Sequence, residues 1–99
     1  MGLGREEGIE VYGPPQFLPG TLVRATKYVK NDGTYAGREI GDILVKKGAL
    51  GYVRDIGTFL QVYYIYAVDF FELGTVVGMR ARELEPVDRT EKRDEDHGS

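Results

Sequence analysis

The run Phe59 to Phe71, FLQVYYIYAVDFF, constrains this chain more than any other stretch. Its even positions Val62, Tyr64, Tyr66, Val68 and Phe70 share one face at a two-residue period, while Asp69 marks the opposite face as the wetter one. Tyrosine and β-branched residues dominate the run, which favours an extended strand over a helix. The even set is therefore expected to point inward.

The flanking segments carry the same signature in shorter pieces. Phe17-Leu18-Pro19-Gly20 makes a sharp entry of type II turn character. Thr21 to Lys27 alternates as a half-buried strand, with Val23 and Ala25 on one face. A long loop over 28–42 follows, in which Asn31-Asp32-Gly33 turns the chain because Gly33 tolerates positive φ and the Asn and Asp side chains bond nearby amides. Ile40 and Tyr35 are expected to anchor that loop inward. Ile43-Leu44-Val45 is too brief to classify and is broken by Lys46-Lys47-Gly48. Ala49 to Ile56 is a second strand, Glu72-Leu73-Gly74 a hairpin turn, and Thr75 to Arg80 a fourth strand with Val77 and Met79 inward. Arg82 to Glu85 reads as a single helical turn before a last short strand at Pro86-Val87.

These segments predict an all-β fold, a small SH3-like five-stranded barrel over 17–87 with Val23, Val53, Tyr66, Val68, Phe70 and Val77 in one core. Closing the sheet would remove the edges that a flat meander leaves exposed. An open OB-like barrel would need a longer helix between the third and fourth strands, and the sequence offers none. Residues 1–16 lack an apolar period and read as a flexible leader, although Ile9, Val11 and Tyr12 could lay one extra turn along the domain. Residues 88–99 read as a disordered charged tail.

Composition excludes several classes of chemistry. A chain of 99 residues predicts one domain, and with no cysteine it can supply neither a disulfide nor a thiolate ligand to zinc or an Fe–S cluster. No apolar run is long enough to span a bilayer and the N-terminus has no signal-like core, so a cytoplasmic location without membrane association is expected. The formal charge of −3 lies at the ends: leader and tail each carry −2 and the segment 17–87 carries +1. A nucleic-acid module usually shows a clearly basic face, which here could exist only locally.

Catalytic patterns are thin. His97, the single histidine, lies in the tail, which leaves no basis for a histidine triad or histidine metal site. Asp32, Glu39, Asp42 and Asp55 could meet in space as a hard-cation site, but they lack calcium-loop spacing and read as turn caps, and the glycines form no phosphate-binding motif. No enzyme activity, cofactor or metal is expected. Tyr63, Tyr64 and Tyr66 beside Arg24, Arg54 and Arg80 could form a stacking platform for single-stranded nucleic acid or a peptide groove. The plainer reading is that they fill a barrel surface with their polar tips in water.

One resemblance covers about seventy residues. The succession Pro19-Gly20-x-x-Val23-Arg24, Asn31-Asp32-Gly33-Thr34-Tyr35-x-Gly37-Arg38-Glu39-Ile40-Gly41-x-x-Leu44-Val45-x-x-Gly48 resembles the NifZ family of nitrogen-fixation accessory proteins. It continues through Gly51-Tyr52-Val53-Arg54-x-Ile56-Gly57-Thr58-Phe59-Leu60-Gln61, Ile65-Tyr66-x-Val68-x-Phe70 and Gly78-x-Arg80-x-Arg82-Glu83-Leu84. The resemblance implies a chaperone-like binder that assists maturation of the nitrogenase molybdenum–iron protein, in particular formation of its P-cluster. The implied partner is the immature form of that protein. A fainter similarity to the SH3-like variable subunit of ferredoxin–thioredoxin reductase is an analogy of fold. On this reading the partner-binding candidates are Asn31, Asp32, Tyr35, Arg38, Glu39, Arg54, Tyr63, Arg80 and Arg82, since arginine's planar fork suits carboxylates on a partner. A competing reading pairs Arg38 with Glu39 inside the loop. The alternative function is a nucleic-acid-binding small β-barrel using the tyrosines and the same arginines.

Overall fold

The computed structural model describes residues 9–88. The disorder expected of the tail beyond Asp88, the first eight leader residues and His97 lie outside these residues. The described chain is all-β, with seven strands and two 3₁₀ turns. The strands are β1 (Leu22–Ala25), β2 (Val29–Lys30), β3 (Ile43–Val45), β4 (Leu50–Phe59), β5 (Tyr63–Phe70), β6 (Thr75–Met79) and β7 (Leu84–Pro86). Five of them form one antiparallel sheet in the order β6-β5-β4-β1-β7, and β2 pairs with β3 in a separate two-stranded ribbon.

The expected five-stranded arrangement is therefore present, but its hydrogen bonds do not close into a barrel. Two strands were not anticipated. β2 and β3 sit at the base of the 28–42 loop, where polar residues hide the alternation, and Val29 opposes Val45 across a local register shift. Leu44 and Val45, in the run too short to classify, are both buried.

Burial follows the two-residue period closely. Val23, Val53, Tyr66, Val68, Phe70 and Val77 are all buried in one cluster with Phe17, Ala25, Leu44, Val45, Met79, Ala81 and Leu84. Val53 stands opposite Val68, and Val68 opposite Val77, so three adjacent strands stack valines in one row. Each fully buried valine contributes about 1.5–3 kcal/mol relative to exposure. Gly51 belongs to the same packing: a Cβ there would lie 2.6 Å from Val68 Cγ1 and 2.8 Å from the Asp69 carbonyl oxygen. The sheet can pack this closely only because position 51 has no side chain.

The 59–71 run is not one strand. β4 extends to Phe59, β5 starts at Tyr63, and the chain reverses between them, with the Val62 N–H donating to the Phe59 carbonyl at 2.9 Å. The two central residues, Leu60 and Gln61, have φ of 54° and 57°. Paired positive φ is the requirement of a type I′ hairpin turn, normally met by Asn-Gly or Gly-Gly. Leucine and glutamine give no such signal in the sequence.

The inward tyrosines of β5 find their polar partners in the leader. The Tyr64 hydroxyl donates to the Gly13 carbonyl at 2.7 Å, and the Tyr66 hydroxyl accepts from the Gln16 N–H at 2.8 Å. A 3₁₀ turn at Glu10–Tyr12 lies along β5, where Glu10 Oε1 accepts from the Tyr64 N–H and the Val11 N–H donates to the Val62 carbonyl. This is the extra turn that Ile9, Val11 and Tyr12 made available. Both tyrosine tips are thus bonded to backbone groups of the leader.

Two substitutions test this core. Val68→Asp places an unpaired charge at a position with 0% exposure and is expected to cost about 4 kcal/mol or more, abolishing the cooperative thermal transition. Gly51→Ala is expected to cost about 1–3 kcal/mol through overpacking, read as a lowered denaturation midpoint with an unchanged denaturant slope.

Candidate functional site

The 31–42 loop is organised by one buried amide. Asn31 is 2% exposed, and its Nδ2 donates to the carbonyls of Tyr35, Arg38 and Glu39 at 3.1, 2.9 and 3.2 Å. Its Oδ1 accepts from the N–H groups of Gly33 and Tyr35 at 2.9 and 3.1 Å. Its backbone is also committed, donating to the Asp42 carbonyl and accepting from the Gly41 N–H. A buried amide so fully satisfied fixes a loop that has little apolar material of its own. Asn31 therefore shapes the surface from beneath, and its side chain is not available to a partner.

The other loop residues divide by role. Asp32 Oδ1 accepts from the Thr34 hydroxyl at 2.7 Å and from the Thr34 N–H at 3.1 Å. These bonds, the hydroxyl's first, hold its carboxyl below the ordinary carboxylate range. Tyr35 is half-buried and packs against the core. Arg38 does not pair with Glu39. Its Nε lies 3.4 Å from Asp42 Oδ2 and a terminal N–H donates to the Ile43 carbonyl, while the Glu39 backbone N–H donates to the same Asp42 carboxylate. Ile40, expected to tuck inward, is 77% exposed.

The arginine and tyrosine candidates occupy the sheet. Arg54 is exposed at the register shift between Val53 and Asp55, a bulge in β4. Tyr63 stacks on Phe59 with ring centroids 5.4 Å apart, and the Arg80 guanidinium carbon lies 3.5 Å from the Tyr63 centroid. Arg80 Nε is buried without a hydrogen-bond partner, so the stack on Tyr63 is its main compensation. The Arg80 N–H donates to Glu83 Oε1 at 2.9 Å, fixing the 3₁₀ turn Ala81–Glu83, on which Arg82 is exposed. The structure thus joins Tyr63 with Arg80 and Arg38 with Asp42. Among the described residues no three His, Cys, Asp or Glu side chains converge as metal ligands.

Sequence reasoning passed over three surface features. Phe59 and Leu60 are 48% and 77% exposed at the hairpin tip, hidden because the run looked like continuous strand. Tyr12 is 82% exposed on the leader turn. A cleft of about 330 Å³ opens between the loop and the outer strand of the sheet, lined by Lys30, Asp32, Thr34, Tyr35, Leu44 and β6 residues 76–78. Only its pairing partners could have revealed it.

The fold and this surface define a small all-β module built to present an ordered polar loop and exposed apolar and arginine side chains, with no converged catalytic group among its described residues. The comparisons place it in a family: residues 14–86 match the NifZ domain, and the chain belongs to the NifZ family of nitrogen-fixation accessory proteins. It is 61% identical over 84 residues to a NifZ protein of Sinorhizobium fredii, covering 85% of this chain and 78% of the relative. A NifZ protein of Rhodobacter capsulatus is 66% identical over 71 residues, 72% of this chain and 91% of the relative. The NifZ protein of Azotobacter vinelandii is 47% identical over 70 residues; these cover 71% of this chain and 44% of that longer protein. No solved structure matches the chain.

Two variants test the loop. Asn31→Asp keeps the acceptor for Gly33 and Tyr35 but sets a carboxylate against three carbonyl oxygens; a loss of about 2–3 kcal/mol is expected at neutral pH, partly recovered in acid as the new carboxyl protonates. Thr34→Ala removes the hydroxyl bond to Asp32, and the Asp32 pKa is expected to rise toward its ordinary value in an NMR titration. The sign follows from linkage: a depressed folded pKa means a contribution present above the ordinary carboxylate value and lost as pH falls through the folded one. Wild type should therefore lose more stability than Thr34→Ala across that acidic window.

Proposed function

We propose that this chain is a chaperone-like binder of the immature nitrogenase molybdenum–iron protein that assists formation of its P-cluster, acting in the cytoplasm without catalysing a reaction. The observation that carries this reading is the family match across 14–86, which spans the whole Asn31-organised loop. The absence of cysteine from the sequence fits an assistant that handles the client protein and leaves cluster ligation to it. Among the described residues no helix is long and apolar enough to cross a membrane.

The contact surface in this proposal comprises Asp32, Glu39, Arg38, Arg54 and Arg82, with Tyr35, Tyr63 and Arg80 at its margins and Asn31 holding the loop from below. Arg54 and Arg82 are exposed, as a residue meeting a partner's carboxylates should be. The Arg38–Asp42 pair is itself exposed, at 40% and 42%, and such pairs contribute only about 0–1 kcal/mol to folding. Losing it leaves the domain folded.

The double variant Arg38→Ala with Arg54→Ala is expected to keep the wild-type melting transition and to bind the immature molybdenum–iron protein at least tenfold more weakly, about 1.4 kcal/mol. Calorimetry and affinity on the same preparation check this. Unchanged affinity in a folded variant removes these arginines from the contact. A salt-dependent oligonucleotide titration provides the opposing arm, because tight binding with a steep salt slope would favour the nucleic-acid reading.

A further inference from the structure

The backbone of β6 has an unused side, and the ladder fixes which groups face it. In β4, the Val53 N–H donates to the Thr21 carbonyl and the Val53 carbonyl accepts from the Gly20 N–H. Backbone groups of successive residues in an antiparallel strand point to opposite edges, so those of Tyr52 turn toward β5, where Tyr52 opposes Asp69. Val68 and Phe70 then turn toward β6, opposite Val77 and Thr75. The N–H and carbonyl groups of Val76 and Gly78 are left pointing outward. β6 ends the sheet, and among the described residues neither residue has a backbone partner on that side.

This edge is recessed. Val76, Val77 and Gly78 form one wall of the cleft, Lys30, Asp32, Thr34 and Tyr35 the other, and Leu44 joins Val77 as apolar lining. We propose that β6 is a strand-addition site, taking a short extended segment of a partner protein into this cleft as a sixth strand of the sheet. Outward amides and carbonyls two residues apart, about 6.5–7 Å, match the repeat of another β-strand. Side chains on the incoming strand's inner face would lie over Leu44 and Val77 and should be apolar; Lys30 and Asp32 bring both charge signs, so the rim selects no net charge. A second copy of this chain is a poor occupant, because its own edge lies behind the same 30–35 overhang. The proposal names the backbone contact within the client-binding role proposed above, and rests on that reading only for the partner's identity.

The test uses the full chain and two sets of peptides: an array of overlapping peptides from the molybdenum–iron protein subunits and a random twelve-residue display library. Val76→Pro deletes the outward N–H while leaving the β5 pairing, as proline is tolerated on the solvent side of an edge strand. Thr34→Trp fills the cleft from the other wall without touching β6. Selected peptides are expected to alternate apolar and polar residues, to slow amide exchange at Val76 and Gly78, and to lose at least tenfold in affinity with each variant. Binders that survive Thr34→Trp and leave both amides in fast exchange overturn the site, even if Val76→Pro proves unstable. Protection of those amides in the protein alone overturns the partner assignment: if concentration-dependent it names a second copy, if not, a segment of this chain. Library binders meeting all three criteria, with no binder on the array, uphold the edge and count against the client.

Discussion

The β4–β5 ladder is the constraint from which the rest of this structure hangs. β1 pairs with one edge of β4 and β7 beyond it, β6 pairs with the far edge of β5, and the leader turn lies along β5 near the hairpin tip. That ladder is made through a turn that its own residues resist. Positive φ at a non-glycine residue costs on the order of 1–3 kcal/mol, and Leu60 and Gln61 both carry it. The ladder hydrogen bonds, the Phe59–Tyr63 stack and the leader's bond to the Val62 carbonyl over-determine the turn and hold it. The strain leaves Leu60 at the tip largely in solvent.

A second, polar constraint operates at the other end of the sheet. The loop after β2 sets no apolar side chain but Tyr35 against the core, its Ile40 lying in solvent, and is instead wound around the Asn31 amide. The two devices differ in what they permit. Apolar packing tolerates volume-conserving exchange, whereas only a primary amide both donates and accepts as Asn31 does, and glutamine's extra methylene would carry that amide away from its partners. The loop's shape is consequently tied to one residue. Around it, Asp32 and Asp42 cap single turns through the Thr34 and Glu39 N–H groups, local bonds at the loop's exposed rim.

How far the sequence discloses all this depends on which physics writes each part. Alternation of apolar residues is a local signal, and it identified the inward faces of β5 and β6 and six core members correctly, though Leu22, on the other face of β1 from Val23, is buried as well. The hairpin tip escaped because Leu60-Gln61 is held by its surroundings and carries no turn chemistry of its own. β2 and β3 escaped because two- and three-residue strands are shorter than any window in which a period can be seen. The docked leader depends on Tyr64 and Tyr66 hydroxyls meeting backbone groups some fifty residues away in sequence. Backbone partners leave no mark on residue type. Of the candidate site, the loop and its arginines were visible as residues, but Asn31's inward role and the cleft beside β6 exist only once the strands are paired.

Failure of the barrel to close has a structural consequence. To close, the β2–β3 ribbon would have to continue the sheet at β6, and it approaches near enough for Leu44 and residues 76–78 to line one cleft. It stops short of pairing. The register shift between Val29 and Lys30 turns the ribbon, and the Asn31 side chain then binds the loop to itself, so its polar groups are spent internally. An open edge is ordinarily a liability, because any exposed strand can pair with it. Here the edge is five residues long, and Lys30, Asp32, Thr34 and Tyr35 line the cleft beside it. The same loop that prevents closure thus also partly covers the edge that closure would have removed.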